Sequence, residues 1–254
     1  MSWTAILLAG SRPGTDPFAA QYGTDLKALI PVGGVPMVRR PVAALLQSPE
    51  IARVHVLAQQ PDRIAEVLPT DERLTVEPSR GTIAATLEEI LADPKTCFPL
   101  LVTTADHALL DKAMIADFCA NAEGADLAIG MVERRPLLSR LPDTQRTWLR
   151  FRGGAYSGAN LFAFSSSRAA KAVALWRSVE QDRKKGWRMI AALGPALLLG
   201  AVLRIRTLDQ TLESVGKRLG LVIRKVELSN PLAAVDVDKP ADHLLVTAII
   251  EGRA

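Results

Sequence analysis

The regular alternation of short apolar runs with helical segments constrains the fold of this chain more than any other feature of its sequence. Four runs predict strands, at about 5–9, 53–58, 74–76 and 98–103, and a helical segment follows each, at about 36–46, 61–68, 81–91 and 112–122. The run Ala5–Ala9 is wholly apolar, as is typical of strands buried on both faces. The pattern predicts a parallel sheet with helices on both faces, which is a three-layer α/β/α fold.

The second half of the chain predicts further strands and a helical insert. The strands are expected at about 126–132, 148–151, 159–164, 221–226 and 233–237, and a last helix starts near Lys239 and Pro240. A helical block at about 167–219 interrupts these strands, and no flexible linker divides the chain. We therefore expect one domain over residues 1–254, with an insert that is a candidate to shape the substrate site.

Composition narrows the classes of partner. The 254 residues carry a formal net charge of +4, and the basic residues are dispersed, which argues against nucleic acid and suits small anionic substrates. Two cysteines are too few for a disulfide framework or a zinc site, and without a signal-peptide pattern they predict a cytoplasmic protein. The most apolar stretch, Met189–Leu203, contains glycine and proline and is shorter than the roughly 20 residues that span a bilayer. A buried helix is favoured there, and a peripheral membrane contact through the insert stays open.

The turn after the first strand is a candidate phosphate site. Leu8, Ala9, Gly10, Ser11, Arg12 and Gly14 follow one another closely, and Lys27 lies further along the same loop. Glycines let backbone N–H groups approach a triphosphate, while Arg12 and Lys27 would stabilise negative charge on a leaving pyrophosphate. The turn matches neither the dinucleotide fingerprint nor the Walker loop, and a solvated polar turn is an equally open interpretation.

Two acidic elements are candidates for a divalent metal site. Asp106 follows the predicted strand 98–103, where Mg²⁺ could be held by one or two carboxylates together with substrate phosphates; capping of the next helix is the alternative. Asp236 and Asp238 lie two apart at the end of the predicted strand 233–237 and directly after it, so in an extended chain their carboxylates are expected on one face. Asp238 could also cap the helix opened by Pro240.

Weaker candidates for ligand contacts lie in two other segments and next to Asp106. Ser79, Gly81 and Thr82 precede a helix, where they could contact a nucleobase or simply cap the helix. Gly158 could admit a ligand or mark a bulge, and His107 could orient a phosphate or make a structural hydrogen bond.

The run from Leu8 to Met37, with its Leu-Ala-Gly loop, Arg12, Lys27 and the Gly34-Val35-Pro36-Met37 helix start, resembles the signature of the sugar-nucleotidyltransferase-like family, which includes the molybdenum cofactor guanylyltransferases. Asp106 resembles the metal aspartate of that family, and Asp236-Val237-Asp238-Lys239-Pro240 resembles its C-terminal acidic motif. The chain departs from the pattern at Ser11, at Lys239 and in the long spacer 13–25. The resemblance covers about 1–165 and 221–250 and leaves the helical block unmatched.

The resemblance implies a mixed, mostly parallel sheet of the Rossmann-like nucleotide-diphospho-sugar transferase type. It implies nucleotidyl transfer from an NTP, with CTP or GTP favoured, to a phosphorylated small-molecule acceptor, with Mg²⁺ or Mn²⁺ held by Asp106, Asp236 and Asp238. The acceptor would contact His107, Tyr156, Gly158 and Asn160. A glycosyltransferase of the same fold and a non-catalytic nucleotide-binding regulator remain alternatives, although the phosphate loop and the three aspartates favour the transferase. The sequence does not predict an oligomeric state.

Overall fold

The computed structural model describes residues 2–10, 16–79, 81–181 and 205–253. Within these ranges the strands are β1 (Trp3–Leu8), β2 (Pro31–Val32), β3 (Val35–Pro36), β4 (Ile51–Ala58), β5 (Leu74–Pro78), β6 (Leu100–Thr104), β7 (Leu127–Glu133), β8 (Leu149–Phe151), β9 (Gly154–Phe164) and β10 (Ile223–Glu227). The helices are α1 (Pro17–Ala20), α2 (Arg39–Gln47), α3 (Pro61–Ala65), α4 (Ile83–Ala92), α5 (Lys112–Ala122), α6 (Arg134–Arg140), α7 (Ala170–Gln181), α8 (Leu208–Leu219) and α9 (Pro240–Ile250).

The main sheet has the strand order β10-β7-β9-β6-β1-β4-β5, with β8 paired to β9. β5, β4, β1 and β6 are parallel to one another, β10 is parallel to β7, and β9 runs antiparallel between β6 and β7. The expected mixed, mostly parallel sheet is therefore confirmed. Because the end of β9 pairs with the start of β6 (Phe164 with Leu100), the beginning of β9 reaches the edge where the parallel strands end.

Both faces of the sheet are covered, as the apolar first strand predicts. Alternate side chains of β1 enter two different cores: Ala5 and Leu7 pack on the α2 and α5 side, and Ile6 and Leu8 pack on the α4 and α7 side. This is the three-layer α/β/α arrangement. The carboxyl ends of β1, β4, β5 and β6 consequently meet at one open edge, where ligands bind in sheets of this kind.

Two of the predicted elements that differ from the structure lie next to the carboxyl edge of the sheet. The strand expected at 233–237 does not form, and Pro231–Ala234 is instead a 3₁₀ turn whose first residue has no N–H and whose second N–H is capped by the Asn230 side chain. The helix expected from Pro36 begins at Arg39, because Val35–Pro36 pairs with Pro31–Val32 across Gly33 and Gly34. Both glycines have positive φ, which suits a tight hairpin turn.

The helical block is described in two parts. α7 packs against α4, where Arg177 forms an ion pair with Glu88, and α8 begins with a capping box formed by Thr207 and Gln210. Met189–Leu203, for which the sequence favoured a buried helix, lies outside the described residues. Among the helices that are described, none is long and apolar enough to cross a membrane.

The two cysteines should differ sharply in reactivity. Cys97 is exposed, whereas Cys119 is buried in α5 and burial raises the pKa of its thiol to about 12. Since the thiolate is the reactive form, we expect Ellman's reagent to modify Cys97 in the native protein and both thiols only after unfolding. Cys97→Ser should abolish the native reaction, and rapid modification of both thiols in the native protein would contradict this packing.

Candidate active site

The loop between β1 and α2 places Lys27 at the carboxyl edge of the sheet. Lys27 opens a 3₁₀ turn, and the neighbouring Ala28 and Ile30 are buried and accept hydrogen bonds from Val38 and Met37 at 3.0 and 2.9 Å. These backbone contacts hold the lysine against the start of α2.

A second set of contacts ties the same loop to α9. The His243 Nε2 donates to the Pro31 carbonyl at 2.6 Å, and its Nδ1 therefore accepts from the Tyr22 hydroxyl at 3.1 Å in the neutral ring. Phe18 packs edge-on against Tyr22. The part of the long spacer that is described, from Asp16 onward, is thus packed on the domain rather than projecting from it.

Lys27, Asp106 and Asp238 converge at this edge. The Lys27 Nζ donates to Asp106 Oδ2 at 2.7 Å and to Asp238 Oδ1 at 2.5 Å, although the three residues come from different parts of the chain. Thr104, the last residue of β6, donates its hydroxyl to Asp106 Oδ1 at 2.5 Å. Burial would lower the pKa of Lys27, but the charges and hydrogen bonds of Asp106 and Asp238 outweigh it and raise the pKa, so the side chain is a fixed cation.

Asp236 faces a different cation from Asp238. Its Oδ1 forms an ion pair with Arg146 and its Oδ2 accepts from Asn160 Nδ2 at 3.2 Å. Burial raises the pKa of Asp236, the charges of Asp238 and Asp106 add to the rise, and Arg146 opposes it. The segment is not a paired strand, yet burial alternates along it: Val235 and Val237 are buried, Asp236 is partly buried and Asp238 is exposed.

The capping alternatives for the two aspartates are wrong. Asp111 caps α5 by accepting from the Met114 N–H at 2.8 Å, and Asp106 lies outside that helix. The residue at the N-cap of α9 is Lys239, not Asp238.

A bulge in β9 directs Asn160 toward Asp236. β9 pairs Phe162 with Ile129 but Gly158 with Met131, so three residues of β9 lie opposite Gly130 alone. Asn160 is in the bulge and has a φ of 48°, a left-handed conformation that is uncommon outside glycine. A Cβ on Gly130 would lie 3.0 Å from Leu161, so the bulge needs the glycine opposite it.

The other residues expected at the acceptor side lie in different surroundings. Gly158 is exposed and a Cβ there would meet nothing within 4 Å. Tyr156 is buried, and its hydroxyl accepts from Lys225 Nζ at 3.2 Å.

His107, the residue after Asp106, is buried as well. It is 1% exposed with Nδ1 3.4 Å from the Thr103 hydroxyl, and burial lowers its pKa to about 4. Its ring is therefore neutral and shielded from solvent.

Of the residues expected to contact the nucleotide, some are described and some are not. Leu8 and Ala9 are buried at the end of β1, and Gly10 is exposed just beyond them; Ser11, Arg12 and Gly14 lie outside the described residues. Thr82 caps α4 through a hydrogen bond from the Ala85 N–H at 3.2 Å, and Gly81 before it has a φ of 83°. The Ser79 Oγ is buried without a hydrogen-bond partner among the described residues.

Comparison with known proteins decides the family. The sequence model of the MobA-like NTP transferase domain matches residues 5–214. The chain belongs to this family. This NTP transferase is accordingly a nucleotidyltransferase, as its sequence predicted.

Solved structures agree with this assignment. A hypothetical transferase from Thermus thermophilus is 28% identical, superposes with a TM-score of 0.80, and the match covers 96% of this chain and 100% of that one. Two further structures share the fold at low identity: a 4-diphosphocytidyl-2C-methyl-D-erythritol synthase from Anaerococcus prevotii (11% identity, TM-score 0.61, 98% and 96% covered) and a CMP:2-keto-3-deoxy-manno-octonic acid synthetase complexed with CTP (12%, 0.62, 99% and 100%). A search of curated protein sequences found no match.

The matched range of the NTP transferase corrects one expectation. The family model runs through residue 214, so it includes most of the helical block that the sequence resemblance left unmatched, and it ends before Asp236 and Asp238.

The carboxylates of the NTP transferase fit a divalent ion only in part. In the described ranges no three His, Cys, Asp or Glu side chains cluster as a metal site. Asp106 and Asp238 nevertheless converge on one cationic group, Lys27 Nζ, and two carboxylates completed by substrate phosphates are a usual Mg²⁺ ligand set. Both oxygens of Asp236 are engaged by Arg146 and Asn160.

Two residues of the site escaped the sequence analysis. Arg146 lies in the loop between α6 and β8, and no sequence pattern distinguishes it from arginines that are exposed. Asp242 accepts from the Asp238 N–H at 3.2 Å. Its place in the first turn of a helix, four residues after Asp238, was a usable signal for a capping role.

Proposed function

We propose that this NTP transferase moves the NMP part of an NTP onto a phosphorylated small-molecule acceptor, releases pyrophosphate and depends on Mg²⁺ or Mn²⁺. The observation that carries the proposal is the convergence of Lys27 with Asp106 and Asp238 at the carboxyl edge of the sheet. This set combines a fixed cation with two carboxylates, which phosphoryl chemistry requires, and needs no general base, because an acceptor phosphate is already ionised near neutral pH.

The proposed reaction is an in-line displacement at the α-phosphorus. An acceptor phosphate oxygen forms the new P–O bond, the bond between the α-phosphorus and the α,β-bridging oxygen breaks, and the electron pair leaves with pyrophosphate. Lys27 offsets charge on the departing phosphates, Arg12 is proposed to contribute a second positive charge, and the backbone N–H groups after Ala9 hold the triphosphate. Catalysis consists of positioning and electrostatic stabilisation.

Asp106 and Asp238 are the residues proposed to hold the divalent ion. Such an ion polarises phosphoryl oxygens and neutralises part of their charge when bound. Asp236 was predicted as a third ligand, and its contacts with Arg146 and Asn160 support a role in shaping the loop that carries Asp238 instead.

CTP or GTP is the proposed donor, and CTP is supported by a structural neighbour that is complexed with it. Gly81 and Thr82 are the proposed base contacts at the start of α4, with Ser79 beside them. We propose that the acceptor lies near Gly158 and Asn160, on the side of the site opposite the start of α4. We also place the reaction in the cytoplasm, where the two free cysteines would stay reduced.

A pyrophosphate-release screen tests the proposal. Each of the four NTPs is paired with a panel of phosphorylated sugars, polyols and pterins, with Mg²⁺ present or chelated. Turnover with one Mg²⁺-dependent pair is expected. A nucleotide-sugar arm tests the glycosyltransferase alternative, and NTP binding without pyrophosphate release by any pair would mean that the proposed reaction is wrong.

A further inference from the structure

The loop that carries Asp238 is anchored by one buried arginine. The Arg146 side chain is 7% exposed, and its two terminal nitrogens contact different carboxylates: Nη1 is paired with Asp236 and Nη2 donates to Asp242 Oδ1 at 3.1 Å. The same guanidinium lies 3.4 Å from the Asp236 carbonyl oxygen. Arg146 therefore joins Asp236, two residues before Asp238, to Asp242 in the first turn of α9.

The contacts continue from Asp242 to Asp238. Asp242 is 6% exposed, and while its Oδ1 accepts from Arg146 its Oδ2 accepts from the Asp238 N–H at 3.2 Å. The Val237 N–H donates to the Asp106 carbonyl at 3.1 Å. These two bonds fix the backbone that leads into the Asp238 Cα, and hence the direction in which its carboxylate points toward Lys27.

Charge balance explains why an arginine is needed at this place. Asp106, Asp236, Asp238 and Asp242 bring four carboxylates together, and among the described residues that contact them Lys27 and Arg146 are the cations. Lys27 pairs with Asp106 and Asp238, so the partly buried Asp236 and the buried Asp242 depend on Arg146. Without it they would repel each other and Asp238, because buried like charges are costly.

We infer that Arg146 is a positioning residue which, through Asp242 and Asp236, holds Asp238 in the orientation that lets it share a divalent ion with Asp106. The inference rests on the proposed metal role of Asp238, but not on the identity of the NTP or the acceptor. A planar guanidinium can contact two carboxylates at once, whereas a lysine ammonium is a point charge on a flexible stem. Arg146→Lys therefore keeps the charge and removes the bridging geometry.

The primary test is direct Mn²⁺ binding, with the free ion measured by electron paramagnetic resonance. Arg146→Lys should raise the Mn²⁺ dissociation constant about tenfold or more, which is the range for residues that orient metal ligands. Asp242→Asn, which breaks the same chain of contacts one step later, should do likewise. Arg150→Lys is the matched control, since Arg150 is exposed on the adjacent β8, and it should bind Mn²⁺ like the wild type.

Steady-state kinetics separate positioning from a purely structural role. In Arg146→Lys the Mg²⁺ concentration for half-maximal activity should rise with the Mn²⁺ constant, while the NTP KM at saturating Mg²⁺ stays within about twofold. Equal Mn²⁺ binding by the wild type and Arg146→Lys would overturn the inference, and so would the absence of Mn²⁺ binding in both. It would also be overturned if Arg146→Lys only lowered the amount of folded protein and the folded molecules bound Mn²⁺ with the wild-type affinity. If Arg146→Lys weakens Mn²⁺ binding but the wild-type protein releases no pyrophosphate, the inference stands and the proposed function is wrong.

Discussion

Asp106→Asn should lower the rate of pyrophosphate release by about 10²–10³-fold and raise the Mg²⁺ concentration required for half-maximal activity. The change keeps the shape of the side chain and removes the negative charge that lies 2.7 Å from Lys27 Nζ. A neutral amide is a weaker ligand for a hard divalent ion than a carboxylate. The measurement is pyrophosphate release at saturating NTP while Mg²⁺ is varied.

Asp62→Asn is the matched control, because Asp62 is exposed on α3 and should leave both parameters unchanged. In Asp106→Asn the amide oxygen of the new side chain could still accept from the Thr104 hydroxyl, so the local fold should survive, as circular dichroism would check. A variant that released pyrophosphate at the wild-type rate, with the wild-type dependence on Mg²⁺, would remove Asp106 from the reaction.

Lys27→Met should have opposite effects on two measurements. Pyrophosphate release should fall by about 10²–10³-fold, because the cation that stabilises the leaving group is lost. Mn²⁺ binding in the absence of nucleotide should instead tighten by about tenfold, or about 1.4 kcal/mol. The reason is that Lys27 Nζ contacts Asp106 and Asp238 at 2.7 and 2.5 Å and so competes with a divalent ion for the same oxygens.

Misfolding would weaken pyrophosphate release and Mn²⁺ binding together, so it would not produce the two opposite changes that we expect of Lys27→Met. Lys171→Met, on the exposed side of α7, should change neither measurement. Unchanged or weaker Mn²⁺ binding in Lys27→Met would show that the ammonium group and the metal do not share these two carboxylates. Retained turnover would exclude Lys27 from leaving-group stabilisation.

The elements with a strong local signal were predictable. The apolar run of β1 predicted burial on both faces, and α5 begins and ends at the predicted residues, Lys112 and Ala122, because Asp111 caps it. Asp106 was expected at the carboxyl end of a strand, and Lys27, which is distant from Asp106 in the sequence, was predicted to contact the phosphates. The structure brings these two together, while their roles in transfer remain proposals.

The parts that were missed depend on contacts distant in sequence. α6 begins Arg134-Arg135-Pro136 and shows little apolar periodicity, so its place is set by packing against β7 and β9. The alternation of Val235 and Val237 with the aspartates resembles a strand, but Pro231 has no N–H and the Asn230 side chain caps the N–H of Leu232, which favours the 3₁₀ turn at Pro231–Ala234. Arg146 becomes recognisable only when residues 90 and 96 positions later are seen beside it.

Lys27 and Asp238 lie 211 positions apart, and this separation has a consequence for how the protein is made. The ribosome delivers the chain from its amino end, so β1, β4, β5 and β6 can pair while α9 is still to be synthesised. A nascent chain at that stage already contains Lys27 and Asp106, which pair with each other, but lacks Asp238, the second carboxylate that Lys27 contacts. Catalytic competence should therefore arise in a single late step, when the segment from Asp236 onward docks, rather than growing with the length of the chain.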